Sequence, residues 1–337
     1  MVTEPSWAAH TLLIANPRAG ARDRQRIDQV VAHCEGMVPH LEVVHTEYQG
    51  HAEERAARAA ASHTDAVIVL GGDGTTREVA SGLARSGLRQ PGGKRPAMVN
   101  IPFGTGNSFY QEIWGDAPWR QVLDQALSGK HPHLRWVDMA HIREIDVLAL
   151  LGAGSGLVAD ALEAAHGMLE IPGRDRYQQA VAQIMSTYTP YEGRVSVDGR
   201  IVHEGPVALV NIGGGRHRAG RFKLLPHSVI DDGLLDVCVV GGPMGVRELA
   251  GLTRDGSHIG RPGVVYERGS RFVVERTDGR QLSFEHDGEL CTGEASRYTI
   301  DVLPAVLPVL APPAPMPMPM PGSPRASSFA EHAEGVV

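Results

Sequence analysis

The sequence predicts an α/β N-terminal domain with a doubly wound parallel sheet, followed by a mostly antiparallel β domain. Three observations carry this. Over residues 1–135 short apolar runs alternate with segments rich in helix formers. From residue 136 to 303 the runs are short and β-rich, and Asp-Gly pairs punctuate them at Asp198-Gly199, Asp278-Gly279 and Asp287-Gly288. Residues 304–337 are dominated by proline. Alternating strand and helix signals build βαβ units and a parallel sheet, whereas closely spaced strands with Asp-Gly turns build hairpins.

In chain order, residues 11–15 are a short apolar strand ending at Asn16-Pro17, and a helix over 22–34 follows. Residues 41–46 read as the next strand and 52–61 as a helix of strong helix formers. Residues 67–70 are wholly apolar, as a strand buried on both faces requires. A helix starts near Thr76, and residues 97–101 form another strand. In the second half, strands are expected over 146–151, 193–197, 206–212, 234–240, 263–267 and 271–276, with a helical insertion near 162–187. The last strand of this domain is free to return to the first. The alternating prolines of the final stretch lack backbone donors and predict a disordered tail.

Composition narrows the function. A length of 337 residues suits about two domains. A net charge of -7 with both signs mixed argues against a nucleic-acid partner. Three widely spaced cysteines, Cys34, Cys238 and Cys291, give neither a disulfide framework nor zinc spacing, which points to a reducing, cytoplasmic setting. No apolar run reaches membrane-spanning length, and no signal peptide is visible at the N-terminus. His131-Pro132-His133 and His217-Arg218 lack metal-site spacing. Ser155 lacks the flanking glycines of a nucleophile elbow, since Ala153 and Leu157 stand there.

The chemistry concentrates in three loops after strands. In VIVLGGDGTTREVASGL, a buried strand ends at Gly71-Gly72, and Gly74 and Thr75 follow before a helix. Glycines let backbone amides approach a phosphate, and the helix N-terminus favours an anion. Asp73 sits at the carboxyl end of the strand, where open α/β sheets bind ligands, and a carboxylate beside a triphosphate calls for a cation such as Mg²⁺. NIPFGTGNSF supplies Gly104, Thr105 and Asn107, and NPRAG supplies Asn16 after the first strand. None of the three is a Walker A loop or a dinucleotide fingerprint, which disfavours P-loop ATPases and hydride transfer.

These residues resemble the diacylglycerol kinase catalytic family, which includes sphingosine, ceramide and bacterial lipid kinases. The resemblance runs in order through NPRAG at 16–20, Thr46 with GHAE at 50–53, GGDGT at 71–75 with Glu78, PFGTGN at 102–107, DDGLLD at 231–236 and DGE at 287–289. It implies a C-terminal β-sandwich, a cleft between the domains, and an ATP-dependent kinase acting on a hydroxyl of a diacylglycerol- or sphingoid-type acceptor. Asn16, Thr46, Gly71, Gly72, Gly74, Thr75, Gly104, Thr105 and Asn107 would line the ATP site beside catalytic Asp73. Asp287 would be the general base, with Glu289 assisting metal or phosphates. Asp232 matches a structural Mg²⁺ position of some bacterial members. Asp160 resembles a lipid-head contact of sphingosine kinases, and Arg176, downstream with Arg174, a phosphate contact. The apolar residues of the insertion, such as Leu162, Met168, Leu169, Ile171, Ile184 and Met185, suit either an acyl tunnel or helix core.

Two features depart from or compete with that pattern. Ser108 stands where many diacylglycerol-type members have Asp. An NAD kinase shares GGDGT but has no claim on PFGTGN or DDGLLD, and a non-catalytic nucleotide-binding regulator would have no need of Asp73, Asp287 and Glu289. A lipid acceptor implies transient contact with a membrane surface and a peripheral location.

Overall fold

A computed structural model describes residues 7–19, 24–90, 92–129, 131–168, 170–171, 173–185, 188–218, 222–241 and 246–312. The first domain runs β1 (His10–Ala15), α1 (Arg24–Glu35), β2 (His40–His45), α2 (His51–Ala60), β3 (Ala66–Gly71), α3 (Asp73–Arg89), β4 (Ala97–Pro102), α4 (Ser108–Trp114) and α5 (Trp119–Leu127). The second runs β5 (Leu134–Ile142), β6 (Val147–Ala149), β7 (Ala153–Gly156), α6 (Leu157–His166), α7 (Gly173–Met185), β8 (Tyr191–Val197), β9 (Arg200–Gly213), β10 (Leu235–Gly241), α8 (Val246–Leu252), β11 (Val264–Gly269), β12 (Arg271–Arg276), β13 (Phe284–His286), β14 (Glu289–Leu290) and β15 (Arg297–Leu310).

The N-terminal sheet is parallel in the order β2-β1-β3-β4, as the strand–helix alternation predicts. β3 is buried along its whole length, which its unbroken apolar run requires. Between α2 and α3 the helices approach so closely that a Cβ on Gly82 would lie 2.4 Å from the Glu53 carbonyl oxygen. The short helices α4 and α5 were not expected. α4 lies in the motif PFGTGNSFYQEIW, whose glycines and αL Asn107 (φ 52°) end just before it, so a loop signal masks a helix start.

The second domain is antiparallel, with β9 at its centre between β7 and β8 and also paired to β10. Its core includes Val195, Val210, Ile212, Val237, Phe272 and Tyr298. The expected insertion is present as two helices, α6 and α7, and its start lies earlier than anticipated, at Leu157.

β15 corrects the expected domain boundary. A tail from residue 304 was anticipated from the proline content, but the strand continues to Leu310. Its first half pairs antiparallel with β12, and its end pairs parallel with β4 at Val309↔Met98, so it joins the two sheets. A register shift between Leu303 and Leu307 lies around Ala305, which has φ 51°. The Asp138 carboxylate pins this irregularity by accepting the Ala305 N–H at 2.7 Å and the Gly233 N–H at 2.7 Å. Pro304 is tolerated because the strand bulges there, and bulges accommodate missing ladder donors. The tail beyond residue 312 lies outside the described residues.

Candidate functional site

The three loops meet, with Thr46 at the end of β2, at the carboxyl edge of the parallel sheet around a cleft of ≈ 1320 Å³. Asn16, Thr46, Gly72, Gly74, Thr75, Gly104 and Thr105 line it, with Asp73, Glu78 and, from the β domain, Glu289. Backbone bonds stitch the loops: Asn16 N–H donates to the Leu70 carbonyl at 2.9 Å, and Phe103 N–H to the Gly71 carbonyl at 3.0 Å. Asn16 Nδ2 also donates to Thr75 Oγ1 at 2.9 Å. Gly20 of the first motif lies outside the described residues.

Glycine is required where the loops touch. A Cβ on Gly104 would sit 2.5 Å from the Gly72 Cα, a backbone atom that cannot swing aside. Gly71 and Asn107 support the cleft from behind. A Cβ on Gly71 would lie 2.6 Å from the Thr75 Cβ, and Asn107 cross-braces its own loop by accepting the Gly104 N–H and donating to the Gly104 carbonyl.

Asp73 opens α3, yet its carboxylate serves α4, accepting the Ser108 N–H at 3.0 Å and the Phe109 N–H at 3.2 Å. Burial pushes its pKa up, those two amides pull it down, and the negative charge of Asp287 pushes it up again. The residue after Asn107 thus contributes a backbone donor to Asp73 in this chain.

The Asp-Gly-Glu segment is the turn between β13 and β14, and its three residues face different ways. Asp287, at φ 49°, accepts three backbone N–H bonds, from Leu150 at 2.8 Å, Leu151 at 2.6 Å and Gly152 at 3.1 Å. Its carboxylate therefore ties the turn to the segment before β7, a bracing role that the motif alone does not reveal. Glu289 enters the cleft and takes a fork of two bonds from Arg77 Nη2 of α3, at 3.0 and 2.9 Å. Gly288 lies on the opposite side and lines a second cavity.

That second cavity, of ≈ 280 Å³, is walled by apolar side chains from α6, α7, α8 and β9, among them Leu157, Val158, Leu162, Val181, Leu209 and Leu249. Of the six apolar insertion residues named from the sequence, Leu162 lines it; Met168, Ile171 and Ile184 do not, and the side chains of Leu169 and Met185 lie outside the described residues. Polar side chains join them, Tyr177, Thr253 and a deeply buried group of Asn211, Arg218 and Glu285. Burial raises Glu285 to about 7, against the downward pull of Arg218.

Three sequence-predicted residues fall elsewhere. Asp160 faces a separate pocket with Tyr188, Arg276 and Ser283, because α6 turns Leu157, Val158 and Leu162 to the apolar cavity and Asp160 away from it. Arg176 lies on α7, where its Nε donates to the Ile171 carbonyl, and it does not line the cleft; the side chain of Arg174 lies outside the described residues. Asp232 accepts the Leu234 N–H at 3.1 Å and pairs with Arg268, and its neighbour Asp231 is bound by the Arg135 fork. Both carboxylates are thus paired with arginine. Conversely, Arg77, Arg218, Asn211 and Glu285 carry geometry the motifs did not flag. Asn211 was findable, being the one polar residue in the apolar run VALVNI.

A glycine-lined cleft at the carboxyl edge of a parallel sheet, entered by a carboxylate turn from a β domain, is the kind of place where α/β folds take phosphate-bearing ligands. Comparison narrows the class. Residues 10–142 match the diacylglycerol kinase catalytic domain, and residues 152–311 match the YegS C-terminal NAD kinase beta sandwich-like domain. The chain thus carries a diacylglycerol kinase catalytic domain followed by a YegS-type C-terminal domain. It is 26% identical over 304 residues to "Probable lipid kinase YegS" of Escherichia coli O1:K1 / APEC, covering 90% of this chain and 96% of that one. The protein of the same name from Salmonella gallinarum is 26% identical over 305 residues, with the same coverage. The fold is shared with a crystal structure of a diacylglycerol kinase from Bacillus anthracis str. Sterne, at TM-score 0.66 and 22% identity, covering 92% of this chain and 99% of that one. No helix among the described residues is long and apolar enough to cross a membrane.

Proposed function

We propose that the chain transfers the γ-phosphoryl group of ATP to a hydroxyl of a lipid-like acceptor. One observation carries this reading: the Asp287-Gly288-Glu289 turn stands between a polar cleft and an apolar cavity, with Glu289 on the cleft side and Gly288 on the cavity side. A phosphate donor and an apolar acceptor need two such compartments meeting at a carboxylate.

In the reaction the acceptor oxygen bonds to the γ-phosphorus, the bond from that phosphorus to the ADP oxygen breaks, and the hydroxyl proton passes to a carboxylate. Glu289 is the carboxylate of the turn that faces the cleft, and Arg77 fixes its orientation. Asp287 acts by holding the turn. The small residues of the three loops leave room for phosphates, and the amides at the start of α3 favour their charge. The cleft fits Mg²⁺ of the kind that keeps waters and phosphate oxygens, since Asp73 and Glu289 face it without forming a closed cage. Mg²⁺ bound with the nucleotide would neutralise charge on the phosphate oxygens. With a lipid as acceptor, the chain works in transient contact with a membrane surface.

The test is transfer of labelled γ-phosphate from Mg·ATP to diacylglycerol, monoacylglycerol, sphingosine, ceramide and NAD. Label on a lipid, reduced about 10²-fold or more in Glu289→Gln, supports the proposal. Label on NAD alone, or on none of the acceptors, refutes it.

A further inference from the structure

One part of the cavity lining, deeply buried and polar, is built unlike the apolar walls. Asn211, on the central strand β9, is 1% exposed, and Glu285, on β13, is 6% exposed. Arg218 follows β9 and presents part of its surface to the cavity, yet it lies deep enough that burial lowers its pKa. Their mutual bonds leave specific groups over. Arg218 Nε donates to Asn211 Oδ1 at 2.9 Å, and Arg218 Nη2 to the Ile212 carbonyl at 3.2 Å. Arg218 Nη1 and Asn211 Nδ2 are buried with no hydrogen-bond partner among the described residues. Glu285 Oε2 accepts the Gly288 N–H at 3.0 Å, which joins this floor to the carboxylate turn.

Two buried donors without acceptors are costly unless something fills them, and here both belong to residues that line one cavity. A purely apolar occupant would leave both unpaired. An ammonium head would be drawn to Glu285, but it has no lone pair to offer and would leave both donors unpaired. The group that satisfies the floor is an oxygen acceptor, such as an ester carbonyl or a phosphodiester oxygen, carried next to a hydroxyl that can donate to Glu285.

We propose that Asn211, Arg218 and Glu285 form the recognition site for the acceptor's polar head, and that they select an oxygen-rich glycerol-type head over an amine-bearing sphingoid head. This rests on the lipid-acceptor reading and deepens it by naming the residues and the chemistry of the head. Asn211 and Arg218 hold the acceptor oxygen, the chain lies along the apolar walls, and Glu285 receives the hydroxyl's hydrogen bond beside the turn that carries Glu289.

The test is equilibrium binding to the full chain without ATP, by calorimetry, of a short-chain monoacylglycerol, a short-chain phosphatidylglycerol and sphingosine. Two variants are compared with wild type. Asn211→Asp keeps the oxygen that receives Arg218 Nε but turns the free donor into an acceptor. Arg218→Met/Glu285→Gln removes the buried charges as a pair, so that neither is left alone. The expected result is that one or both glycerol lipids bind at least tenfold tighter than sphingosine, and that each variant that folds loses at least tenfold of that affinity. The better of the two glycerol lipids identifies the oxygen as ester or phosphodiester. Unchanged affinity in the variants, as when water alone fills the donors, overturns the proposal, and so does sphingosine binding as tightly as either glycerol lipid. If monoacylglycerol binds as expected but labelled phosphate never reaches it, the kinase reading fails and the recognition site stands.

Discussion

Asp287 shows how much the meaning of a side chain depends on its partners. In the sequence, Asp-Gly-Glu suggests a base followed by a helper. In the fold, Asp287 accepts three backbone amides from residues 150–152, more than 130 positions away in the chain. Replacing it by Asn puts an amide NH₂ where one carboxylate oxygen accepts, leaving at least one buried N–H unpaired at a cost of about 1–3 kcal/mol. Thermal unfolding of Asp287→Asn is therefore expected to fall by several degrees; an unchanged midpoint together with lost activity would return Asp287 to the role of base. Glu285 makes a separate prediction. Burial raises it from 4.5 to about 7, so between those values the folded chain holds a proton that the unfolded chain has released. Its contribution to stability is complete below about pH 4.5 and is lost as pH rises through about 7. Melting of wild type and Glu285→Gln from pH 4.5 to 8 should show the variant gaining on wild type across that window; parallel profiles would exclude a raised carboxylate there.

At the scale of elements, the strand-end loops were the most legible part of the site. Each is a local pattern, an apolar strand followed by small residues and a helix, and local geometry decides what it can hold. The close approach of Gly72 to Gly104 explains why two such loops carry glycine at facing positions. Gly104→Ala should push them apart at a cost of about 1–3 kcal/mol, weakening ATP binding roughly tenfold or more; wild-type ATP affinity by calorimetry would show that the loops do not need this contact. The apolar cavity was far less legible. Its walls come from α6, α7, α8 and β9, elements dispersed over about a hundred residues, and apolar spacing on a helix does not distinguish a cavity wall from core. Asp160 illustrates the limit: it lies on the same helix as three wall residues, and only the helix's rotation on the sheet turns it outward.

For the whole molecule, β15 decides how the two compartments face each other. It leaves the β domain, bends at Ala305 where Asp138 holds the backbone, and ends beside β4. Proline content misled the sequence reading, because a strand that bulges in the middle can carry residues that a regular strand excludes. A chain ended after Leu303 loses the segment that pairs with the first half of β5 and with β4, together with buried Val306, Leu307, Val309 and Leu310. It is expected to be insoluble or unfolded by circular dichroism, whereas a folded, cooperative product would contradict this account of the domain junction.

The central claim is that a nucleotide cleft and an apolar acceptor cavity serve one reaction across the Asp287-Gly288-Glu289 turn. The most direct measurement is labelled phosphate transfer from Mg·ATP to diacylglycerol by wild type and by Leu162→Trp, with ATP affinity determined for both. Leu162 is half-buried on the cavity wall, so an indole there fills the cavity without crowding the sheet core. The account predicts transfer by wild type, a loss of at least tenfold in Leu162→Trp, and equal ATP affinity. Undiminished transfer by Leu162→Trp would contradict it.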